Sequence, residues 1–265
     1  MKPRTRRILQ SLGVLVWSAV LLYFYSTGRV NKYLAPDFRM ICFFGGLGLG
    51  VLGLFNLLTA GQDSDHHHHE SSDMNPWASF FLMVLPVVLS VAWTKDEYSV
   101  LALTRKGLYD APSSRNSAPA TSLAMPAITL EQLQKSHTVT PEGYYQFSLM
   151  ELFFATGDRE VQSLVDGMKI ETEGRWMDEK VRNEGGTRKR LYRLFITCCA
   201  ADSRAIPIIL EFGKAPPDYP ENGWVKVSGI IRFPLEGGEL HPVLTVDRVL
   251  AAEPPYEESF LRKKK

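Results

Sequence analysis

Hydrophobic and charged positions are distributed unevenly along the chain, and the distribution changes near residue 94. Between Ile8 and Trp93 the charged residues are confined to short loops, which separate three uncharged apolar stretches. The stretches cover residues 8–25, 40–58 and 77–93. Each has about the 17–25 residues that an α-helix needs to cross the hydrocarbon layer of a bilayer. The pattern predicts a membrane domain, residues 1–96, with three transmembrane helices.

The second half of the chain has a different hydrophobic period. Five runs show alternation or β-branched enrichment and are separated by Gly, Pro, Asn and Asp: residues 167–178, 190–202, 205–212, 223–234 and 241–252. Short strands at this spacing are typical of a small barrel, and the five-stranded oligonucleotide/oligosaccharide-binding (OB) type fits their number. The fold class is therefore a membrane α-helical N-terminal region plus a soluble β-rich C-terminal domain, an OB-like five-stranded barrel.

Composition sets the boundaries between these parts. Residues 97–140 include a stretch rich in Ser, Ala and Pro, which predicts a linker or arm before the barrel domain, 141–256. Residues 257–265 form a basic tail. The net charge is only +1, so the bulk charge gives no indication of a nucleic-acid partner.

Charge also bears on membrane orientation. Four basic residues in the first seven positions favour a cytoplasmic N-terminus, which after three crossings places the C-terminal domain outside a multi-pass plasma-membrane protein. Three basic residues between positions 29 and 39 weaken that bias. A cleaved signal peptide is the alternative for the first stretch. The absence of a small-x-small site after Tyr25 and the two later stretches favour a retained helix.

The second apolar stretch carries glycines on one face. Gly46, Gly50 and Gly53 form a small-residue stripe that allows another helix to approach closely. The stripe either packs against the protein's own helices or docks on a separate membrane protein, and the sequence leaves both open.

A histidine-rich loop, residues 61–76, joins the second and third stretches. It contains four consecutive histidines flanked by acidic residues: His66, His67, His68 and His69. Imidazoles beside carboxylates suit a divalent transition metal such as zinc, copper or nickel, and a flexible run can offer several nitrogens to one ion. The alternative is a solvated polar loop without a ligand. No other cofactor is indicated.

Two adjacent cysteines, Cys198 and Cys199, lie in the second predicted strand. Because neighbouring side chains on a strand point to opposite faces, one cysteine should enter the barrel core as a small hydrophobe and the other should face outward. A disulfide between neighbours requires strained geometry, so the pattern does not favour one. The outward cysteine with Asp202 would supply half of a soft-metal site, which His241 or a partner chain would have to complete.

At "RLFITCCAADSRAIPIILEF", followed by "GWVKVSGIIRFP" and "PVLTVDRVLAAEPPYE", the chain resembles the YcgQ-like family of bacterial membrane proteins. The residues that carry the likeness in the barrel are Cys198, Cys199, Ala201 and Asp202. The resemblance implies one subunit of a two-component permease, which accompanies a polytopic membrane permease of the YcgR-like type. It implies neither a transported substrate nor catalytic residues.

These observations favour an accessory, non-conducting permease subunit that is anchored in the lipid bilayer and presents its barrel to the partner. Three helices are too few for a transport path, and none of the apolar stretches holds a charged residue. No Ser/His/Asp order, phosphate loop or HExxH motif indicates an enzyme.

Two alternatives remain at this point. One is a metal-handling protein that uses the histidine loop. The other is a membrane-anchored ligand-binding module, in which aromatic rings lie among basic residues as in single-strand binders. Its residues would be Trp176, Tyr192, Phe195, Arg175, Lys189, Arg190 and Arg193. An extracytoplasmic barrel would exclude nucleic acid as the ligand, so no nucleic-acid partner is expected.

Overall fold

The structure is a computed structural model that describes residues 3–61, 75–93, 99–110 and 130–261. The chain divides into two compact units. A helical unit contains Met1–Asp96 together with Cys198–Ala201, and a β-rich unit contains Glu97–Thr197 and Asp202–Lys265.

Three helices make up the helical unit: α1 (Pro3–Ser26), α2 (Pro36–Leu58) and α3 (Pro76–Trp93). Each predicted apolar stretch lies within one of them. Helix α2 begins at Pro36, because proline has the helical φ and lacks the N–H that would have no partner in a first turn. A short 3₁₀ turn, Arg29–Lys32, follows the left-handed Gly28 and connects α1 to α2.

Two of the three helices meet the length and composition expected of a membrane span. These are Arg4–Ser26 of α1 and Pro36–Leu58 of α2, whereas the apolar part of α3, Pro76–Ala92, is shorter. Only 11% of the apolar window of α2 is buried inside the structure, whereas the core helix of a water-soluble fold is mostly buried. Its large side chains Ile41, Phe44 and Phe55 are at least 60% exposed and form part of an exposed apolar surface.

The β-rich unit contains nine strands and four short helices in its described residues. The strands are β1 (Tyr145–Gln146), β2 (Lys169–Asp178), β3 (Arg188–Ile196), β4 (Arg204–Glu211), β5 (Trp224–Arg232), β6 (Leu235–Glu236), β7 (Glu239–Leu240), β8 (Val243–Ala251) and β9 (Phe260–Leu261). The helices are α4 (Val100–Arg105), α5 (Leu130–Ser136), α6 (Leu149–Ala155) and α7 (Arg159–Val165). The β-rich C-terminal domain predicted from the sequence is therefore confirmed.

The five long strands close on themselves. Strand β2 pairs antiparallel with both β3 and β5, β3 pairs antiparallel with β4, and β5 pairs antiparallel with β8. A parallel pairing of β4 with β8 completes the ring. A bulge between Ser228 and Gly229 bends β5 against β8, and strong coiling of this kind is what ring closure requires.

The main core fills the inside of this ring. On β2 the residues Ile170, Gly174 and Trp176 alternate inward, as the period of a strand requires. Helix α6 contributes Leu149 and Leu152, both fully buried. A capping box fixes the start of α6, in which the Ser148 hydroxyl accepts from the Glu151 N–H and the Glu151 carboxylate accepts from the Ser148 N–H.

A second, smaller core lies on the outer side of β3 and β4. Leu103 and Leu108, from α4 and the turn that follows it, are fully buried in this core. The strand residues in contact with them are Met177, Tyr192, Leu194 and Ala205. In the segment predicted as a linker, the described residues 99–110 are thus packed on β3 and β4, because Leu103 and Leu108 are buried against an apolar surface there.

A buried ion pair connects this turn to strand β3. The Arg190 Nε donates to Glu179 Oε2 at 2.6 Å, and both side chains are at most 4% exposed. The Arg190 Nη1 also donates to the Leu108 carbonyl, and the guanidinium lies 4.9 Å from the centre of the Tyr109 ring. The pair therefore joins β3, the loop after β2 and the turn after α4.

Candidate functional site

The two adjacent cysteines do not lie on a strand. Strand β3 ends at Ile196, the chain bends at residues 197–198, and a 3₁₀ turn at Ala200–Asp202 leads into β4. The expectation that one cysteine enters the barrel core is therefore wrong, and both are half-buried. Alternation of side chains holds only where the backbone is extended, and here it has turned.

The turn brings three potential metal ligands together. The Sγ atoms of Cys198 and Cys199 and a carboxylate oxygen of Asp202 all lie within 4.8 Å of one another. Ligand atoms around a tetrahedral zinc ion are about 3.5–3.8 Å apart, given metal–ligand bonds of about 2.0–2.3 Å. Within the described ranges no other trio of His, Cys, Asp or Glu side chains is this close. Ala201, the fourth residue of the family-like core, is exposed and offers no side-chain ligand.

Backbone hydrogen bonds hold the cysteine turn in place within the helical unit. The Ala35 N–H donates to the Cys198 carbonyl at 3.0 Å, and the Ala200 N–H donates to the Tyr33 carbonyl at 2.7 Å. Between them Leu34 and Cys199 form an antiparallel bridge. The main chain on both sides of the thiols is thus fixed by the segment that precedes α2.

His241 does not complete this group. Glu236 is one of the charged residues that act on the His241 ring, and its carboxylate binds the Arg188 guanidinium at 2.9 Å, at the first residue of β3. Eight residue steps of about 3.3 Å, roughly 26 Å, separate Arg188 from Ile196 at the cysteine end. His241 is buried, its Nε2 has no hydrogen-bond partner among the described residues, and burial lowers its pKa.

The histidine loop cannot be compared with the prediction, because His66, His67, His68 and His69 lie outside the described residues. Metal capture by this loop stays a prediction.

The aromatic and basic residues that would form a stacking groove are largely internal. Trp176 and Tyr192 are at most 2% exposed and belong to the two cores. The cations near them have acidic partners: Arg175 with Glu258, Lys189 with Asp178, Arg190 with Glu179 and Arg193 with Glu173. Rings in a core and paired cations do not offer a base a platform to stack on.

The glycine stripe of α2 faces the protein's own α1. The Ser18 hydroxyl of α1 donates to the Gly46 carbonyl at 2.7 Å. A Cβ atom on Gly50 would lie 2.9 Å from the Ser18 Oγ, and one on Gly53 would lie 2.8 Å from the Leu15 side chain. The absence of side chains at these positions lets the two helices pack closely.

Substitution on this stripe should separate helix packing from partner docking. Gly53→Val places a branched side chain against Leu15, and we expect a loss of about 1–3 kcal/mol in the stability of the full chain in detergent. Gly48→Val is the matched control, because no atom lies within 4 Å of a Cβ there. Thermal unfolding followed by tryptophan fluorescence measures both. Equal melting temperatures of the two variants would contradict close packing of α1 on α2.

Comparison with known families matches both parts of the chain. Residues 9–99 match the DUF1980 N-terminal domain, and residues 158–258 match the DUF1980 C-terminal domain. No curated protein matches the sequence. The first match begins within α1, at residue 9, and includes α2 and α3, and the second runs from α7 to just before β9. The chain therefore carries the N-terminal and the C-terminal domain of DUF1980, in that order.

Proposed function

We propose that this protein is an accessory, non-conducting subunit of a two-component membrane permease. Its N-terminal helices anchor it in the plasma membrane, and its β-rich unit serves a separate polytopic permease of the YcgR-like type. The resemblance of the barrel segment to the YcgQ-like family supports this assignment. In the proposal α3 is the third span and the β-rich unit lies outside the cytoplasm.

The observation that carries the proposal is the exposed apolar surface of α2. Its glycine face is occupied by α1, whereas Ile41, Phe44 and Phe55 remain open. Burying apolar area contributes about 25 cal/mol per Å², so side chains of this size favour lipid or another membrane helix over water. The apolar stretches contain no charged residue that could bind an ion during transport. The role of an anchored accessory subunit fits these helices better than the role of a transporter.

The β-rich unit supplies a binding module in this proposal. The ring order β2–β3–β4–β8–β5 and its parallel β4–β8 pair support an OB-like barrel. A barrel type does not by itself identify a ligand, because many functions occur on one fold. We assign to it contact with the permease, since the groove needed for single-strand stacking is not formed by the residues predicted for it.

Reconstitution tests the accessory role. Lipid vesicles that contain the purified chain alone and are loaded with small ions and solutes should release no more of them than loaded vesicles without protein do. Co-expressed with a YcgR-like permease from the same genome, it should co-purify in a fixed ratio and resist carbonate extraction from membranes. A tagged unrelated protein with three spans controls for non-specific association. Solute movement by the chain alone, or no co-purification with the permease, would overturn the proposal.

A further inference from the structure

The cysteine turn has a chemistry that an anchoring role does not use. We propose that Cys198, Cys199 and Asp202 bind a thiophilic divalent cation of the zinc class and leave one coordination position open. This proposal goes beyond the accessory role and does not depend on it, because the three ligands lie within five consecutive residues and their arrangement is local to one turn.

The donor set identifies the class of cation. Two thiolates exclude magnesium and calcium, which take oxygen ligands. The carboxylate distinguishes the set from the all-sulfur sites that select copper(I) or iron–sulfur clusters. Zinc accepts sulfur, nitrogen and oxygen together at about 2.0–2.3 Å. A mixed set of two sulfurs and one oxygen therefore points to zinc, or to a cation of similar size and softness.

The geometry shows why adjacent cysteines can serve one ion here. On an extended strand their Sγ atoms would point to opposite faces, whereas the bend after Ile196 places both within 4.8 Å of the Asp202 carboxylate. Contraction of the group by about 1 Å gives tetrahedral spacing. Side-chain rotation can supply so small a movement, so the main chain need not be rearranged.

The surroundings favour a site that is already arranged before the ion arrives. Strands β3 and β4 are paired up to Phe195 and Arg204, and the Cys198 and Ala200 main-chain groups are bonded to Ala35 and Tyr33. Backbone hydrogen bonds within the helical unit thus fix the main chain at both thiols. Half-burial of both thiols leaves them reachable by an ion from solvent while shielding them in part.

The number of ligands indicates an open coordination position. Structural zinc sites are closed by four protein ligands, whereas three protein ligands leave a position for water or for a ligand from another molecule. Within the described residues no fourth His, Cys, Asp or Glu ligand lies in the group. We therefore expect the ion at this turn to bind water or an incoming donor group in the fourth position.

Cobalt(II) is the probe for this site, because tetrahedral Co²⁺ is a spectroscopic stand-in for zinc and cobalt–thiolate bonds give near-ultraviolet charge-transfer absorption. The full chain, purified in detergent and kept reduced, is titrated with Co²⁺ and then with Zn²⁺. We expect one equivalent of Co²⁺ to give a two-thiolate band that Zn²⁺ abolishes. A wild-type protein that shows no such band with excess Co²⁺ would overturn the proposal.

Variants assign the band to its ligands. Cys198→Ser and Cys199→Ser should each reduce the charge-transfer absorption to about half, and Asp202→Asn should retain it while weakening Co²⁺ affinity about 10-fold. Cys42→Ser, which changes the one remaining cysteine, should leave the band unchanged. Replacement of His66, His67, His68 and His69 with alanine should also leave it unchanged. Full absorption in both Cys198→Ser and Cys199→Ser, or its loss in the histidine variant, would contradict the site.

Two further measurements keep the result unambiguous. Equal melting temperatures without metal show that each variant is folded, and a variant that melts early is replaced by its alanine counterpart. Co-purification of the permease, measured with the same cysteine variants, separates the two proposals. If metal binding fails and the permease still co-purifies, only the metal site is contradicted. If metal binds and the permease does not co-purify, only the accessory role is contradicted.

Discussion

Replacing Arg190 with alanine should lower the free energy of unfolding of the β-rich unit by about 3–5 kcal/mol. The substitution leaves the Glu179 carboxylate, fully buried, without the cation that compensates its charge. It also removes the donor to the Leu108 carbonyl, so the turn after α4 loses a hydrogen bond to β3. Urea unfolding of the full chain in detergent, followed by tryptophan fluorescence, measures the loss.

Two comparisons separate burial from simple charge pairing. Arg232→Ala removes an ion pair with Asp166 in which both side chains are more than 40% exposed, and we expect a loss of no more than about 1 kcal/mol. The double substitution Arg190→Met with Glu179→Leu removes both buried charges and should recover most of the stability. Equal losses of unfolding free energy for Arg190→Ala and Arg232→Ala would show that burial of the Arg190–Glu179 pair does not increase the cost of breaking it.

Gly229→Ala should destabilise the same unit by about 3 kcal/mol, at the upper end of the cost of overpacking. A Cβ atom at this position would lie 2.1 Å from the Thr245 carbonyl oxygen and 3.1 Å from the Val246 Cα. These are backbone atoms of the neighbouring strand β8 and cannot rotate away as a side chain can. The substitution therefore disturbs the bulge at which β5 bends against β8.

Gly213→Ala is the matched control for this prediction. No atom lies within 4 Å of a Cβ built on Gly213, and we expect a change within about 0.5 kcal/mol. The midpoints of urea unfolding of the two variants, compared with the unsubstituted chain, measure the difference. A Gly229→Ala midpoint equal to that of Gly213→Ala would show that β5 and β8 are further apart at the bulge than the structure places them.

Local patterns in the sequence identify most of the secondary structure. Long uncharged stretches and alternating β-branched runs indicate which segments have an apolar face, because this property depends only on consecutive residues. All three apolar helices and the five long strands overlap the segments in which these patterns place them, although β3 ends at Ile196, before the end of its predicted run. The sequence also indicates that the glycine stripe is a packing face. It does not identify α1 as the helix that packs there, because the approach of α1 to Gly46 and Gly53 is a long-range contact.

The candidate site shows the limit of the same reasoning. Residue types alone pointed to Cys198, Cys199 and Asp202 as possible ligands, yet strand alternation placed the two thiols on opposite faces. Residue type also makes His241 a candidate ligand, although roughly the length of β3 separates its surroundings from the cysteines. No short-range signal in the sequence indicates which distant residues lie near each end of a strand such as β3.

Apolar helices, a β-rich unit and the chemistry available at the cysteines follow from the order of residues alone. Long-range contacts are responsible for the end of β3 at Ile196, for the meeting of both thiols with Asp202 and for the packing of residues 99–110 on β3 and β4. The reason is physical. A strand continues only as long as neighbouring strands pair with it, and a leucine is buried only where distant residues leave an apolar surface to cover.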